Sequence, residues 1–238
     1  MGLKDDVTSD VAGIISQAWD IRDGTVVPST SDVALAGGGV NLDTAILYAD
    51  LADSTELVLE HDPRVAAEVI KCFLATCSRI IRTFGGDIRS FDGDRVMGIY
   101  IGNSKNSNAT KTALKIRWAF DNIVRPKLEA AYPSLATGSY KLGYGIGVDT
   151  STVLAVRGGI RRNNDLVWVG RAPNAAAKLS TIREAPYRTY ITADVYNKLS
   201  KETKYSTKDG QQVDMWELRS WAQLPGIDLY RSSYHWGL

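Results

Sequence analysis

The stretch "AILYADLADST" runs from Ala45 to Thr55. Its first five residues are apolar, and the run ends on an acid, Asp50, with Asp53, Ser54 and Thr55 close behind. A short apolar run bounded by polar residues reads as a buried β-strand. A carboxylate at the end of such a strand is costly unless a positive charge or hydrogen bonds compensate it. Asp50 therefore either caps the next element or holds something positive.

Working outward, Ser54 or Thr55 can cap a helix that resumes after Pro63 and continues to about Thr83. Its apolar positions Val65, Val69, Phe73, Ile80 and Ile81 lie on one side. "FGGDIRSFDGDRVMGIYIG" then reads as two strands, Asp87 to Phe91 and Arg95 to Ile101, joined by Asp92-Gly93. Asp-Gly between apolar runs is a strong hairpin signal. "GNSKNSNATK" is a polar loop before a long helix, Thr112 to Tyr132, interrupted at Pro126. "YKLGYGIGVDTSTVLAVRGG" reads as a strand pair and "DLVWVG" as a further strand. "RAPNAAAKLSTIR" opens a helix with Pro173 in its first turn. "RTYITADVYNKLS" adds a short strand and helix, and "VDMWELRSW" a last strand before a polar-aromatic tail. The order is β-α-β-β-α-β followed by additional αβ elements. The expected fold is α+β, a ferredoxin-like core with a mixed, mostly antiparallel sheet covered by helices.

The bulk composition fits this. The chain has 238 residues, 44% of them hydrophobic, enough for one domain with a sizeable core. Lys+Arg 28 against Asp+Glu 27 leaves a net charge of +1, which gives no global field toward nucleic acid or a membrane surface. Two cysteines, Cys72 and Cys77, lie in the helical pattern and diverge on it, a reduced and structural reading. The first residues, "MGLKDDVTSD", resemble no secretion signal, and no apolar run is long enough for a bilayer. The expectation is a cytoplasmic protein. Val7, Val11, Ile14, Ile15, Ala18 and Trp19 make a first amphipathic helix, a packing or dimer-contact element. The next stretch, with Pro28 and Gly37 to Gly39, reads as a linker.

Asp94 comes directly after the Asp92-Gly93 turn, so the β-α-β-β order brings it to the sheet edge where the Asp50 strand ends. Two converging carboxylates repel unless a cation lies between them. Few, hard oxygen ligands suit Mg²⁺ or Mn²⁺, with phosphate and water completing the shell. Backbone amides around Ala52 to Thr55, at a helix start, suit a phosphate.

Four blocks, "YADLADST", "FGGDIRSFDGDRVMGIY", "LGYGIGVDTSTVLAVRGG" and "VWVGRAPNAAAKL", resemble in order and spacing the catalytic domain of the class III nucleotidyl cyclases, over about Leu42 to Leu218. The resemblance implies a cyclase domain over residues 40–238, preceded by the helix and linker of residues 1–39. It also implies a homodimer with composite sites, because that family places metal aspartates and transition-state residues on opposite chains. Asp50 and Asp94, assisted by the carbonyl of Leu51, would hold two divalent metal ions. Asn174 would position the ribose. The family arginine four residues later is Lys178 here, which keeps the charge but loses the planar fork. Lys208 would bind the terminal phosphates, with Arg171 a further basic candidate and Ser54 and Thr55 beside the substrate.

The base pocket departs from the purine cyclases. Adenylate cyclases carry lysine and aspartate (or threonine), and guanylate cyclases glutamate and cysteine, where this chain has Ser90 and Val167. Tyr48 replaces the commoner phenylalanine two residues before Asp50. These departures resemble the bacterial pyrimidine cyclases of Pycsar anti-phage defence, which make cyclic UMP or cyclic CMP for a separate cyclic-nucleotide-binding effector. Tyr48 would help fill a pocket for a compact base. A guanidinium only donates hydrogen bonds, which favours the acceptors O2 and O4 of uracil. Arg95 and Arg89 are the nearby candidates, so UTP is expected ahead of CTP, although strand alternation could equally turn both to the other face. Two alternatives are a non-catalytic cyclase-like module and a purine (adenylate) cyclase. "GGD" at Gly85 to Asp87 also raises a diguanylate-cyclase type, which leaves the Asn174 block without a place.

Overall fold

The structure is a computed structural model and describes residues 2–238. In chain order its elements are α1 (Leu3–Ser16), β1 (Asp20–Asp23), β2 (Gly38–Leu51), α2 (Ser54–Glu60), α3 (Pro63–Thr83), β3 (Asp87–Asp92), β4 (Arg95–Tyr100), α4 (Lys105–Ala119), α5 (Arg125–Ala131), α6 (Pro133–Thr137), β5 (Tyr144–Ile160), β6 (Asn163–Val169), α7 (Arg171–Leu179), β7 (Thr189–Thr192), α8 (Ala193–Asn197), α9 (Lys201–Lys204), β8 (Tyr205–Lys208), β9 (Gln211–Asp214), β10 (Glu217–Arg219) and β11 (Leu229–Ser232). The main sheet runs β10-β11-β7-β5-β2-β4-β3. Its β5-β2-β4-β3 half, with α3 and α4 as crossovers, is the ferredoxin-like βαββαβ core that the sequence predicts. β8 and β9 form a separate two-stranded sheet.

Alternation along β2 sorts its side chains. Ala45, Leu47, Ala49 and Leu51 join the core under α3 and α4, with Phe73, Phe120 and Tyr144. Ile46 and Tyr48 take the opposite face, where α7 and part of the N-terminal segment lie. That second face carries the candidate site.

Several local expectations change. The β3–β4 turn residues are Gly93 and Asp94, with Asp92 still paired to Arg95, and Gly93 takes the positive φ (+60°) such a turn requires. Asp53, in a left-handed conformation, precedes α2 without a side-chain cap bond, so neither Ser54 nor Thr55 is the cap. The fourth helix starts at Lys105 rather than Thr112. Its polar first turn is satisfied by neighbours: the Lys105 ammonium donates to Asp43 at 2.7 Å and the Ser200 amide to the Ser107 hydroxyl at 2.8 Å. Tertiary partners here override a loop-like composition. Its interruption is a π-helical turn, Phe120–Val124, with Pro126 at the start of the next segment. "YKLGYGIGVDTSTVLAVRGG" holds one long strand, paired with β6 as a projecting arm, and not a strand pair. The last predicted strand divides into β9 and β10, and the tail contributes β11 between β10 and β7.

The stretch read as a linker is packed. β1 pairs parallel with the start of β2, and Val27 and Val33 are buried. By contrast α1 buries no residue, leaving Val7, Val11 and Ile14 more than half exposed. Cys72 and Cys77 are both free. No described helix is long and apolar enough to cross a membrane.

Candidate active site

β2 pairs antiparallel with β4 on one side and β5 on the other, so residues in one cross-strand row share a face. Three rows build the site. The first is Asp92, Arg95, Asp50 and Gly145; the second Ser90, Met97, Tyr48 and Gly147; the third Asp87, Ile99, Ile46 and Asp149. The candidate metal ligand Asp50 thus sits on the outermost row and the base-pocket candidates Tyr48 and Ser90 one row further in.

The glycines mark where α7 lies against the sheet. A Cβ on Gly147 would meet the Ala176 carbonyl oxygen at 2.2 Å, and one on Gly145 would meet that of Ser180 at 2.3 Å. Glycine at both positions lets the end of α7 approach, and the chain leaving that helix delivers Arg183 to Asp50. The Arg183 Nη2 donates to Asp50 Oδ2 at 2.8 Å and to the Leu51 carbonyl at 3.4 Å. Arg95 Nε approaches Asp50 Oδ1 at 3.5 Å, and its Nη2 lies 3.6 Å from Asp92. Burial pushes the Asp50 carboxyl up; Arg183 opposes this, the nearby Asp94 charge adds to it, and Arg95 opposes it.

Asp94 sits in the turn beside this pair and lines a cleft of about 470 Å³ with Ser54, Thr55, Val58, Leu59 and Ile70. The structure thus brings Asp50, Leu51, Asp94, Ser54 and Thr55 to one end of the sheet. Among the described residues no group of three His, Cys, Asp or Glu side chains converges as a closed metal cage. The donor set instead consists of two carboxylates and a backbone carbonyl. Arg183 acts there as a stand-in cation, touching both Asp50 and the Leu51 carbonyl. That set fits a hard divalent ion that keeps several ligands from water or phosphate.

Tyr48, Ser90 and Arg95 meet on the same face. Burial raises the Tyr48 hydroxyl, opposed by the nearby Ser90 side chain and the Arg95 charge. The Arg95 guanidinium lies over the Tyr48 ring, 5.8 Å from its centroid, and its buried Nε has no hydrogen-bond partner. A β-bulge between Ile88 and Ser90 breaks alternation there. Two consecutive residues, Arg89 and Ser90, consequently serve the site side, so neither Arg89 nor Arg95 turns away.

The remaining sequence candidates are dispersed. Asn174 and Lys178 are exposed, one turn apart on α7, opposite the face that buries Ala172, Ala175, Ala176 and Leu179. They therefore point off the sheet that carries Asp50. Arg171 is committed elsewhere: its guanidinium donates to both oxygens of buried Asp149 at 3.0 and 3.1 Å, to the Thr150 carbonyl and to Asp194. Lys208 is exposed on the β8–β9 hairpin, and Val167, 48% exposed, lies on the β5–β6 arm. Arg183 was missed in the sequence. A visible signal for its neighbourhood is the glycine alternation of "GYGIG", because glycines two apart on one strand face announce a close neighbour there.

No known family profile matches the chain. It is 46% identical over 235 residues to a uridylate cyclase of Rhodovulum sp. (strain MB263), covering 98% of this chain and 97% of that one. A uridylate cyclase of Xanthomonas perforans is 40% identical over 237 residues, 99% of each chain. In three dimensions the chain matches the adenylyl cyclase CyaB from P. aeruginosa with a TM-score of 0.66 at 19% identity, over 82% of this chain and 95% of that one. The fold is thus that of the class III cyclase domains, and the chain is a nucleotide cyclase that belongs to the uridylate cyclase family.

Proposed function

We propose that this cyclase converts a pyrimidine nucleoside triphosphate, UTP ahead of CTP, to the 3′,5′-cyclic monophosphate and pyrophosphate. The product serves as a second messenger in anti-phage defence, read by a separate effector that binds cyclic nucleotides. The observation that carries the reading is the row Ser90–Met97–Tyr48, directly inside the Asp50 row. No lysine, aspartate or glutamate stands in that row to read a purine edge, and a tyrosine ring stands in it beside Met97. The Arg95 guanidinium, over the Tyr48 ring, only donates hydrogen bonds, which suits a uracil acceptor better than the cytosine amine. The names of the two full-length relatives point the same way.

In this reading the ribose 3′-oxygen attacks the α-phosphorus, and the bond from that phosphorus to the departing pyrophosphate breaks. Asp50, Asp94 and the Leu51 carbonyl would hold two divalent ions, Mn²⁺ or Mg²⁺, which lower the 3′-OH pKa and clamp the phosphates when bound. Asn174 fixes the ribose, a positioning effect. Lys178 and Lys208 offset charge on the phosphates. Asn174 and Lys178 face away from their own Asp50, so each working site combines two copies in a homodimer. Arg171, spent on Asp149, is left out of the phosphate contacts.

The test is incubation with UTP, CTP, ATP and GTP in Mn²⁺, with products identified by mass spectrometry. Cyclic UMP as the main product is expected. Mixing Asp50→Asn chains with Asn174→Ala chains, each inert alone, should recover activity, because one of the two sites in a mixed dimer is intact. A purine product would refute the base assignment, and no recovery in the mixture would refute the composite site.

A further inference from the structure

The segment between β1 and β2 covers the sheet face that carries the base-pocket row. It is pinned at both ends: the Gly24 amide donates to the Asn41 carbonyl at 2.8 Å, and the Thr30 hydroxyl to Asp165 of β6 at 3.0 Å. Between these anchors Val27 and Pro28 are buried, Val27 to 6% exposure, while Val26 is 73% exposed. The Val27 side chain enters the cluster of Ile46, Met97 and Ile99, against which Tyr48 packs. In row terms, Ile46 and Ile99 stand one step inward of Tyr48 and Met97. Val27 therefore covers the sheet at the end of the base pocket that lies farthest from Asp50.

The bulge in β3 lies at the same place. Arg89 is the extra residue, and its Nη2 donates to the Val27 carbonyl at 3.4 Å. Its Nε is buried without a partner. Beside it, Ser90 stays in register with Met97 and meets Tyr48. One irregularity thus supplies both a pocket residue and the clasp for the covering segment.

We propose that the segment Gly24–Pro28, seated by Val27 and clasped by Arg89, is the wall that shortens the base pocket and excludes purines. This rests on the pyrimidine reading above and assigns the discrimination to a part of the chain that precedes the βαββαβ core. Tyr48 fills the floor, while Val27 sets the depth at which a second ring would collide. Arg89 is a positioning residue: it holds the wall and does not touch the base.

The experiment compares wild type, Val27→Ala, Val27→Leu and Arg89→Ala. The kcat/KM values for UTP and ATP are measured in Mn²⁺, with calorimetric binding of the non-cyclising α,β-methylene analogues of both nucleotides. Val27→Ala and Arg89→Ala should narrow the preference for UTP over ATP by about tenfold, because steric exclusion by a few methyl groups is worth that much. The narrowing should come from better use of ATP and should appear in analogue binding as well. Val27→Leu, which keeps the wall, should retain the preference. If both truncations keep the wild-type ratio, or lose UTP and ATP in parallel, the wall assignment is wrong while the pyrimidine reading stands. A wild-type enzyme without pyrimidine preference overturns both, and it declares itself before any variant is made.

Discussion

Two aspartates on the same face of the sheet, both held by arginines, have opposite relations to the fold. Asp149 is completely buried; Arg171 grips both its oxygens, and the Thr192 hydroxyl adds a bond from β7. Asp50, two rows away at the open end, has one good partner in Arg183, a long approach from Arg95, and a like charge in Asp94 nearby. Both oxygens of Asp149 are engaged, tying β5, α7 and β7 together. Asp50 keeps capacity in reserve, and burial disfavours its ionised form. What separates the structural carboxylate from the proposed functional one is the completeness of its donor shell, since both are low in exposure.

The largest effect that would sharpen this contrast is on turnover. Asp50→Asn should lower cyclase turnover on the order of a thousandfold, as removal of a charge-stabilising group at the reacting centre does. Its thermal midpoint should stay level or rise slightly. The sign comes from the direction of the shift: an acid whose folded pKa lies above its unfolded value destabilises the fold once the pH exceeds the usual carboxylate range. Removing that acid at neutral pH relieves the cost. Asp149→Ala should do the reverse, losing about 3 kcal/mol of stability in urea titrations. That figure is the lower end for breaking a buried pair, because Arg171 is partly exposed and can turn to water. Equal destabilisation by the two variants would erase the distinction.

How much of this was legible in the sequence depended on the range of the signal. The strand ending at Asp50, the Pro63–Thr83 helix and the β3–β4 hairpin are local patterns, and they appear nearly where alternation and turn chemistry put them. The meeting of Tyr48, Ser90, Arg95 and Asp50 was partly readable, since a βαββ order makes those strands neighbours. The bulge that places Arg89 was not, because its partner, the Val27 carbonyl, lies 62 residues away in the N-terminal segment. Arg171 shows the same limit. A basic residue opening a helix in a phosphate-enzyme motif reads as a phosphate ligand, and only the fold shows Asp149 and Asp194 claiming it. The early start of α4 failed for a related reason: polar residues look like loop until their partners across the fold are known.

The smallest effect concerns Arg183, where the contrast can be turned on the guanidiniums themselves. Arg183 lies on Asp50 and on the Leu51 carbonyl, the donors that a divalent ion would take, and its side chain is 25% exposed. A cation binding there must displace it, so the ion pair is a cost that metal binding bears. A partly screened pair of this kind is worth about 1 kcal/mol, close to fivefold in affinity. Arg183→Ala should accordingly tighten Mn²⁺ binding to the nucleotide-free protein about fivefold, measured by electron paramagnetic resonance of free Mn²⁺. Arg171→Ala is the control, since it removes a guanidinium from the closed shell of Asp149; it should leave Mn²⁺ affinity alone and lower the thermal midpoint. Weaker Mn²⁺ binding in Arg183→Ala would mean that Arg183 aims the carboxylate and does not compete for it. Asp50 would then resemble Asp149 more closely than its incomplete donor shell implies.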